Sequence, residues 1–453
     1  MGLKLKEFKG NGTFPKGIHP AGHKNLSAGK AVEVVPAPGK VVLPLLQNIG
    51  LQCKSIVKSG QKVGYGEKVA AANAMISASI HTPISGKVLK PVVTTLPTSN
   101  HVPALPIKAE GKQLEGQELW DDIFGGNWPI DVKGKYASDE ITAIISESGI
   151  VGLGGAAFPS HVKIASNGKP VDTLLINGCE CEPYLTCDYR LMIEAPEPII
   201  TGSLLAALAI GVKQIVICIE NNKPEAVETM KKAAIGTTIK VVSLKTKYPQ
   251  GSERHLIMAL LKKIMPLGGL PADVGVAVSN VATMASVARA VIKGKPLTHR
   301  IVCVTGKGIS NPKNLLIPLG ISYGELIKYC GGLTKDAARV ISGGPMMGFT
   351  LADFDMPVVK GTSGITVLTH KDICHGKETA CIRCGRCVDV CPMNLVPTKI
   401  AHAARFQNLE MAKKYNIMGC IESGCCTYIC PANIPLVQLI RVGKAMVAAE
   451  KRK

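Results

Sequence analysis

The stretch CIRCGRCVDVCP, Cys381 to Pro392, decides how this chain is read. It is a C-x-x-C-x-x-C-x-x-x-C-P run, in which closely spaced thiolates wrap one corner of a cubane iron–sulfur cluster and the proline turns the chain away. A second, altered copy, CIESGCCTYICP, runs from Cys420 to Pro431. In tandem runs the last cysteine of each ligates the other's cluster. The spacing therefore groups Cys381, Cys384 and Cys387 with Cys430, and Cys420 and Cys426 with Cys391. The second group is one ligand short, because Ser423 stands where a cysteine is required and an extra Cys425 lies beside Cys426. Ser423 ligating through its oxygen, Cys425 swinging in, and a labile corner all remain open, with Cys425 the favoured of the three. Structural zinc, the commoner use of C-x-x-C pairs, needs four ligands per ion and has no use for the third and fourth cysteines at this spacing.

Beyond these runs, 453 residues exceed one ordinary core, so several folds in series are expected. The 16 cysteines follow a charged start, MGLKLKEFKG, with no apolar leader, which predicts a reducing compartment rather than a disulfide framework. The apolar stretch from Ile199 to Ile219 is interrupted by Lys213 and Gln214 and reads as a helix turning into a strand, so any membrane association is peripheral. A net charge of +20 suits anionic partners. Nucleic acid is not expected as a partner, because the lysines are scattered and aromatics make up only 4 % of residues.

The pattern divides into a lead (1–30), a glycine-punctuated β unit (31–110), a polar linker with two tryptophans (111–135), an α/β unit (136–297), a strand–turn–helix unit (298–368), the cluster region (369–445) and a basic tail (446–453). In the β unit, VKSGQKVGYGEKV and HTPISGKV resemble the barrel-sandwich fold of lipoyl and biotinyl carriers. The hairpin tip between them, Ala70 to Ser79, has no lysine to modify, so a structural role is expected. The α/β unit alternates helical patterns with continuous apolar runs (TLLING, QIVICIE, TIKVVSL), which predicts a parallel sheet covered on both faces. The fold class is thus multidomain α/β.

Two loops in that unit carry candidate chemistry. GLGGAAFPSHVK, from Gly152, lets backbone approach a flat or phosphorylated ligand, with Lys163 as a cation for phosphate, although it matches neither G-x-G-x-x-G nor a Walker loop. NGCECEPYLTCDYR places Asn177, Glu180 and Glu182 at a strand's C-terminal end, where ligands sit in open α/β sheets. Cys179, Cys181 and Cys187 lack a cluster spacing and read as small buried residues. His19, His23 and His81 read as structural.

With these loops and the tandem runs, the chain resembles the C subunits of Rnf complexes, the bacterial ion-pumping ferredoxin:NAD oxidoreductases. The likeness extends to HPAGHK, TGKGISNPKNLLIPLG and ISGGPMMG. The central unit is similar to the FMN-bearing, NADH-binding subunit of respiratory complex I. This implies FMN, two 4Fe-4S clusters and NAD(H) as substrate. It implies Gly152, Gly154 and Gly155 at the flavin, Phe158 stacked on the nicotinamide and Lys163 on the FMN phosphate. Asn177 and Glu180 match flavin-contacting positions and Glu182 an NADH contact. Gly251, Ser252 and Glu253 align with a GEE run, and Val278, Ser279, Asn280 and Thr283 with a second flavin segment. Cys179 and Ser252 stand where the family has acids. The implied units are a barrel sandwich, an FMN/NADH-binding α/β unit, a β-grasp-like unit and a helical dicluster ferredoxin-like unit. The implied partners are integral-membrane and other iron–sulfur subunits, at the cytoplasmic face of the cell membrane. Two other readings are a soluble flavin-dependent cobalamin reductase of a microcompartment and a non-enzymatic zinc-binding adaptor.

Overall fold

The computed structural model describes residues 8–165 and 168–450. Its centre is a four-stranded parallel sheet built from Thr173–Gly178, Gln214–Glu220, Ile239–Leu244 and Val276–Asn280. In space the strands run third, second, first, fourth. Alternation along each strand splits its side chains between two cores. Leu174, Ile176, Ile215 and Ile217 pack with residues of helices Pro196–Ile210 and Val281–Lys293. Leu175, Val216, Cys218 and Val242 face the other way, against Leu256, Ile257 and Leu260 of helix Glu253–Leu261. Both faces are covered, as the apolar runs predict.

Helix Pro196–Ile210 starts on proline, which needs no amide partner in the first turn, and ends on Gly211 at φ 82°. The chain then enters the strand at Gln214, so the apolar stretch is the expected helix and strand. At Gly202 a side chain would meet the Met284 carbonyl at 1.8 Å, and its absence lets this helix press against Val281–Lys293. Among the described residues no single helix is long and apolar enough to cross a membrane. The pair Cys187–Glu194 and Pro196–Ile210 passes by composition only and is bent by 96°.

The β unit forms a five-stranded and a three-stranded sheet. Val41, Leu43, Val69, Ile80, Leu105 and Ile107 from these sheets join the core that also covers one face of the parallel sheet. Two expectations need correction here. Val32–Val34 does not belong to these sheets: it pairs in parallel with Lys313–Pro318, far along the chain. The polar linker contains a helix, Gly116–Ile123, because Leu119 and Ile123 fall on one face and are buried. Its Asp122 accepts from Tyr65 at 2.8 Å and from Arg289 at 3.1 Å.

A six-stranded sheet follows, with His299–Thr305 and Gly364–Thr369 parallel to each other at its centre and antiparallel neighbours outside them. Helix Tyr323–Tyr329 is capped by Ser322, whose hydroxyl accepts from the Glu325 amide at 3.2 Å. The cysteine region is helical, with Pro397–Arg405 packed on Leu436–Glu450. That last helix takes in residues 446–450, expected as tail, and Lys413 pairs with Glu450 at 2.9 Å. Residues 451–453 lie outside the described residues.

Candidate functional site: a switch-point crevice joined to two cysteine loops

The first and fourth strands lie side by side, with Asn177 opposite Asn280. From the first strand the chain winds to one side through the second and third, and the fourth returns on the other side. Such a reversal opens a crevice at the strands' C-terminal ends. The glycine-rich loop folds over it: the Gly152 amide donates to Phe158 O at 2.9 Å, and the Leu153 amide to the Thr283 hydroxyl at 2.9 Å. Arg300 holds the same loop by donating to Leu153 O at 3.1 Å. Gly154 lies so close to Asn280 that a Cβ would come within 2.4 Å of its Nδ2, whereas Gly155 faces open space. Phe158 is half-buried where the loop rejoins the fold.

Asn280 caps helix Val281–Lys293 through Oδ1 and donates to Asp188 at 2.7 Å through Nδ2. Asn177 donates to Gly251 O at 2.8 Å and accepts from the Cys179 amide at 3.0 Å. Ser252 precedes helix Glu253–Leu261. Lys163 pairs with Glu253 and donates to Val278 O at 3.3 Å, beside Ser279 in the same strand. The glycine loop, Asn177, the 251–253 turn and the 278–283 segment thus meet at one crevice, although they come from four stretches of chain.

Beneath the acidic loop lies a buried charge network. Lys24 donates to the carbonyls of Glu180, Glu182 and Leu185 at 2.8, 2.9 and 2.6 Å. Lys223 donates to Glu180 O at 3.2 Å and lies 3.5 Å from Glu220 and 3.9 Å from the Glu180 carboxylate. Burial, and then Lys223, pulls the Lys24 pKa below its ordinary value. Glu180 accepts from the Asp188 amide at 3.0 Å and the Cys187 thiol at 3.2 Å through Oε1. Burial, and then Glu180, pushes the Asp188 carboxyl up. Cys179 and Cys187 are buried thiols, raised by desolvation, as the sequence predicts.

Among the described residues, Glu180 Oε2 and both amide atoms of the fully buried Gln250 have no hydrogen-bond partner. Buried polar atoms are rarely left so, and a polar ligand in the crevice satisfies such groups. Together with a glycine loop that a Cβ would fill, these residues fit a flat, phosphorylated, hydrogen-bonding cofactor such as FMN. Lys24 and Lys223 escape sequence reading because single lysines carry no spacing signal.

The Glu182 carboxylate is engaged by a different loop. It accepts from the Met346 and Met347 amides at 3.1 and 2.9 Å, against Gly344 in the ISGGPMMG stretch. Burial pushes its pKa up to about 7, against the pull of those two amides. Beside it Tyr248 donates to Ser423 O at 2.8 Å. Ile18, Cys181, Tyr248, Met346, Val390 and Cys425 pack together there. The crevice is thereby joined to the second cysteine loop through Tyr248, a residue the sequence did not single out.

The two cysteine loops repeat one backbone. Gly385 and Gly424 have φ 76° and 75°, Arg383 and Glu422 both 58°, and Asn394 and Asn433 56° and 50°. The amides of Arg383 and Glu422 donate to Cys381 and Cys420 sulfurs at 3.4 and 3.3 Å. Short helices Arg386–Asp389 and Cys425–Tyr428 follow. Burial pushes the Cys387 thiol up, with Cys430 and Cys384 adding to it; burial does the same for Cys426, with Cys420 and Cys391 adding to it, and Cys391 also bears on Cys425. Cys391, Cys420, Ser423 and Cys426 line one cavity closed by Leu395, Ile400, Val437 and Ile440. Cys425 is fully buried and packs with Tyr248 outside that lining. Among the described residues no three His, Cys, Asp or Glu side chains converge tightly enough for a single metal ion. A cubane holds its ligands farther apart, around its corners.

Known families match the chain in series. Residues 12–112 match the RnfC barrel sandwich hybrid domain, 145–289 the Nuo51 FMN-binding domain, 301–350 the SLBB domain and 380–434 a 4Fe-4S dicluster domain. The C subunit of the proton-translocating ferredoxin:NAD(+) oxidoreductase complex of Clostridium ljungdahlii is 42 % identical, over 99 % of this chain and 96 % of that protein. Its counterpart in the ion-translocating oxidoreductase complex of Rhodobacter capsulatus is 42 % identical, over 96 % and 83 %. The counterpart in the Na(+)-translocating ferredoxin:NAD(+) oxidoreductase complex of Acetobacterium woodii is 41 % identical, over 98 % and 99 %. From its cysteine loops to its flavin-type crevice, the chain belongs to the family of C subunits of ion-translocating ferredoxin:NAD(+) oxidoreductase (Rnf) complexes.

Proposed function

We propose that this chain is the peripheral, FMN-bearing electron-transfer subunit of a membrane-bound Rnf complex, exchanging electrons between NAD(H) and two 4Fe-4S clusters at the cytoplasmic face. The observation that carries this reading is the joint between crevice and cysteine loop: Tyr248, beside the acidic loop, hydrogen-bonds the Ser423 carbonyl at 2.8 Å. FMN bound in the crevice supplies the conversion between hydride and single electrons. The chain's own residues bind and orient. Gly152, Gly154 and Gly155 let backbone approach the flavin, and Glu180, Gln250 and Asn177 offer it polar atoms. Lys163, exchanging Glu253 for the phosphate, anchors the tail. Val278, Ser279, Asn280 and Thr283 form the floor, with Gly251 and Ser252 at the rim. Phe158 flanks the nicotinamide. No side chain is required as general acid or base.

Cys381, Cys384, Cys387 and Cys430 would hold the first cluster, while Cys391, Cys420 and Cys426 would hold the second. The second loop abuts the flavin unit, and Cys381 and Cys384 are exposed. The second cluster would thus stand between the crevice and the first, and the exposed first loop would face iron–sulfur or integral-membrane partners. Glu182, held by Met346 and Met347, serves this seam rather than the nucleotide.

The test is iron, zinc and flavin analysis of the anaerobically purified full chain with NADH as reductant. Bound FMN bleached by NADH, together with about eight irons, is expected. A colourless zinc protein without iron would overturn the reading in favour of an adaptor. Reduction of cob(III)alamin, with no membrane partners on co-purification, would favour the reductase.

A further inference from the structure

The two loops carry the same backbone but not the same ligands, and that mismatch assigns a ligand. Cys384 precedes Gly385, and Ser423 precedes Gly424, at matching left-handed turns. Cys425 instead corresponds to Arg386, which opens its short helix and is exposed to solvent. Ser423 lines the cavity with Cys391, Cys420 and Cys426, whereas Cys425 is not among the lining and packs with Cys181, Tyr248, Met346 and Val390.

The corner is also fixed in place. The Ser423 carbonyl accepts from Tyr248 at 2.8 Å, and a Cβ on Gly424 would meet Met346 O at 2.6 Å. Glu422, next in sequence, is held by Arg441 at 3.0 Å and by Lys444. Swinging Cys425 into the cavity would require turning this helix over and pulling its buried thiol out of the seam.

We infer that the Ser423 oxygen, not Cys425, is the fourth ligand of the second cluster, giving it three thiolates and one oxygen corner. An oxygen donor is harder than a thiolate and matches the cluster's iron less well than sulfur does. The iron it holds is therefore the first to leave on oxidation. Loss of one electron to an added oxidant and release of that iron as Fe2+ convert a 4Fe-4S cluster of charge 2+ into a 3Fe-4S cluster of charge 1+.

This rests on the cluster reading proposed above, and the test separates the two. The full-length protein is purified anaerobically, and iron content and EPR spectra are recorded before and after brief ferricyanide treatment. About eight irons per chain are expected at the start. Ferricyanide is expected to release one iron and produce one three-iron signal. Ser423→Cys, which completes the thiolate set, abolishes that signal; Ser423→Ala shows it before oxidant is added; Cys425→Ala behaves as wild type. The inference is overturned if Cys425→Ala loses the iron while both Ser423 variants behave as wild type, or if untreated wild-type protein already has seven irons and the three-iron signal. A protein with four irons, lost on Cys387→Ala, would overturn the inference and leave the first cluster standing. A protein with no iron would overturn the cluster reading itself.

Discussion

The loop around Cys381 and the loop around Cys420 share the same left-handed positions and the same amide-to-sulfur contacts, yet they meet different surroundings. In the first, Cys381 and Cys384 are exposed, and a side chain at Gly385 would touch nothing within 4 Å. In the second, Ser423 is 6 % exposed, and the turn is covered by Met346 and tied to Tyr248. The backbone is dictated by wrapping a cubane, whereas exposure is dictated by what each loop faces. One turns Cys381 and Cys384 outward, meets the flavin unit from Val388 to Pro392, and keeps its full cysteine set. The other is built into the flavin unit, where packing already fixes its shape, and it has exchanged a thiol for a hydroxyl.

Breaking the first loop has the largest expected effect. Cys387→Ala removes a thiol grouped with Cys384 and Cys430, and iron falls by about half, from roughly eight to four per chain. Iron analysis with EPR checks this, and the second cluster's signal persists.

A finer contrast comes from the two glycines. Gly385→Ala and Gly424→Ala both place a Cβ at φ near 75°, a strain of about 1–2 kcal/mol. Only Gly424→Ala also drives that Cβ to 2.6 Å from Met346 O, adding about 1–3 kcal/mol of overpacking. Thermal unfolding of the two variants should rank Gly424→Ala lower, and equal midpoints would remove the asymmetry. Tyr248→Phe takes away a single buried hydrogen bond to Ser423 O and is expected to cost about 1 kcal/mol in the same assay.

The smallest effect is a pH slope. The folded Glu182 carboxyl keeps its proton up to about pH 7, against 4.5 as its ordinary value. Between these values the folded state binds more protons than the unfolded one, so this group's contribution to stability falls as pH rises through the window. Glu182→Gln flattens that slope, as unfolding midpoints measured from pH 4.5 to 7 would show.

Much of this was legible in the chain itself. The spacing of the cysteines predicts a crossed grouping because in tandem runs the last cysteine serves the other's cluster, and apolar runs gave the parallel sheet because burial on both faces leaves no polar alternation. The glycine and acidic loops could be read as one crevice because strand ends converge in such sheets. Three features had no local signal. Val32–Val34 joins a sheet with Lys313–Pro318 through backbone pairing that any β-forming run could make. Lys24 clamps three carbonyls of a loop distant in sequence. The choice between Ser423 and Cys425 turns on which way a short helix faces, and spacing does not encode that. Glu182 was assigned to the nucleotide by family position, yet its carboxylate is engaged by the amides of a loop brought in from another unit.

We propose that electrons leaving the crevice would reach the first cluster by way of the second, which Cys391, Cys420 and Cys426 would hold. The most direct test of this route is NADH reduction of the FMN-loaded, anaerobic protein, followed by rapid-freeze EPR, in wild type and Cys426→Ala. The account predicts that in Cys426→Ala NADH still bleaches the flavin and dithionite still reduces the first cluster, but NADH no longer does so on the wild-type timescale. First-cluster reduction by NADH at the wild-type rate in that variant would contradict it.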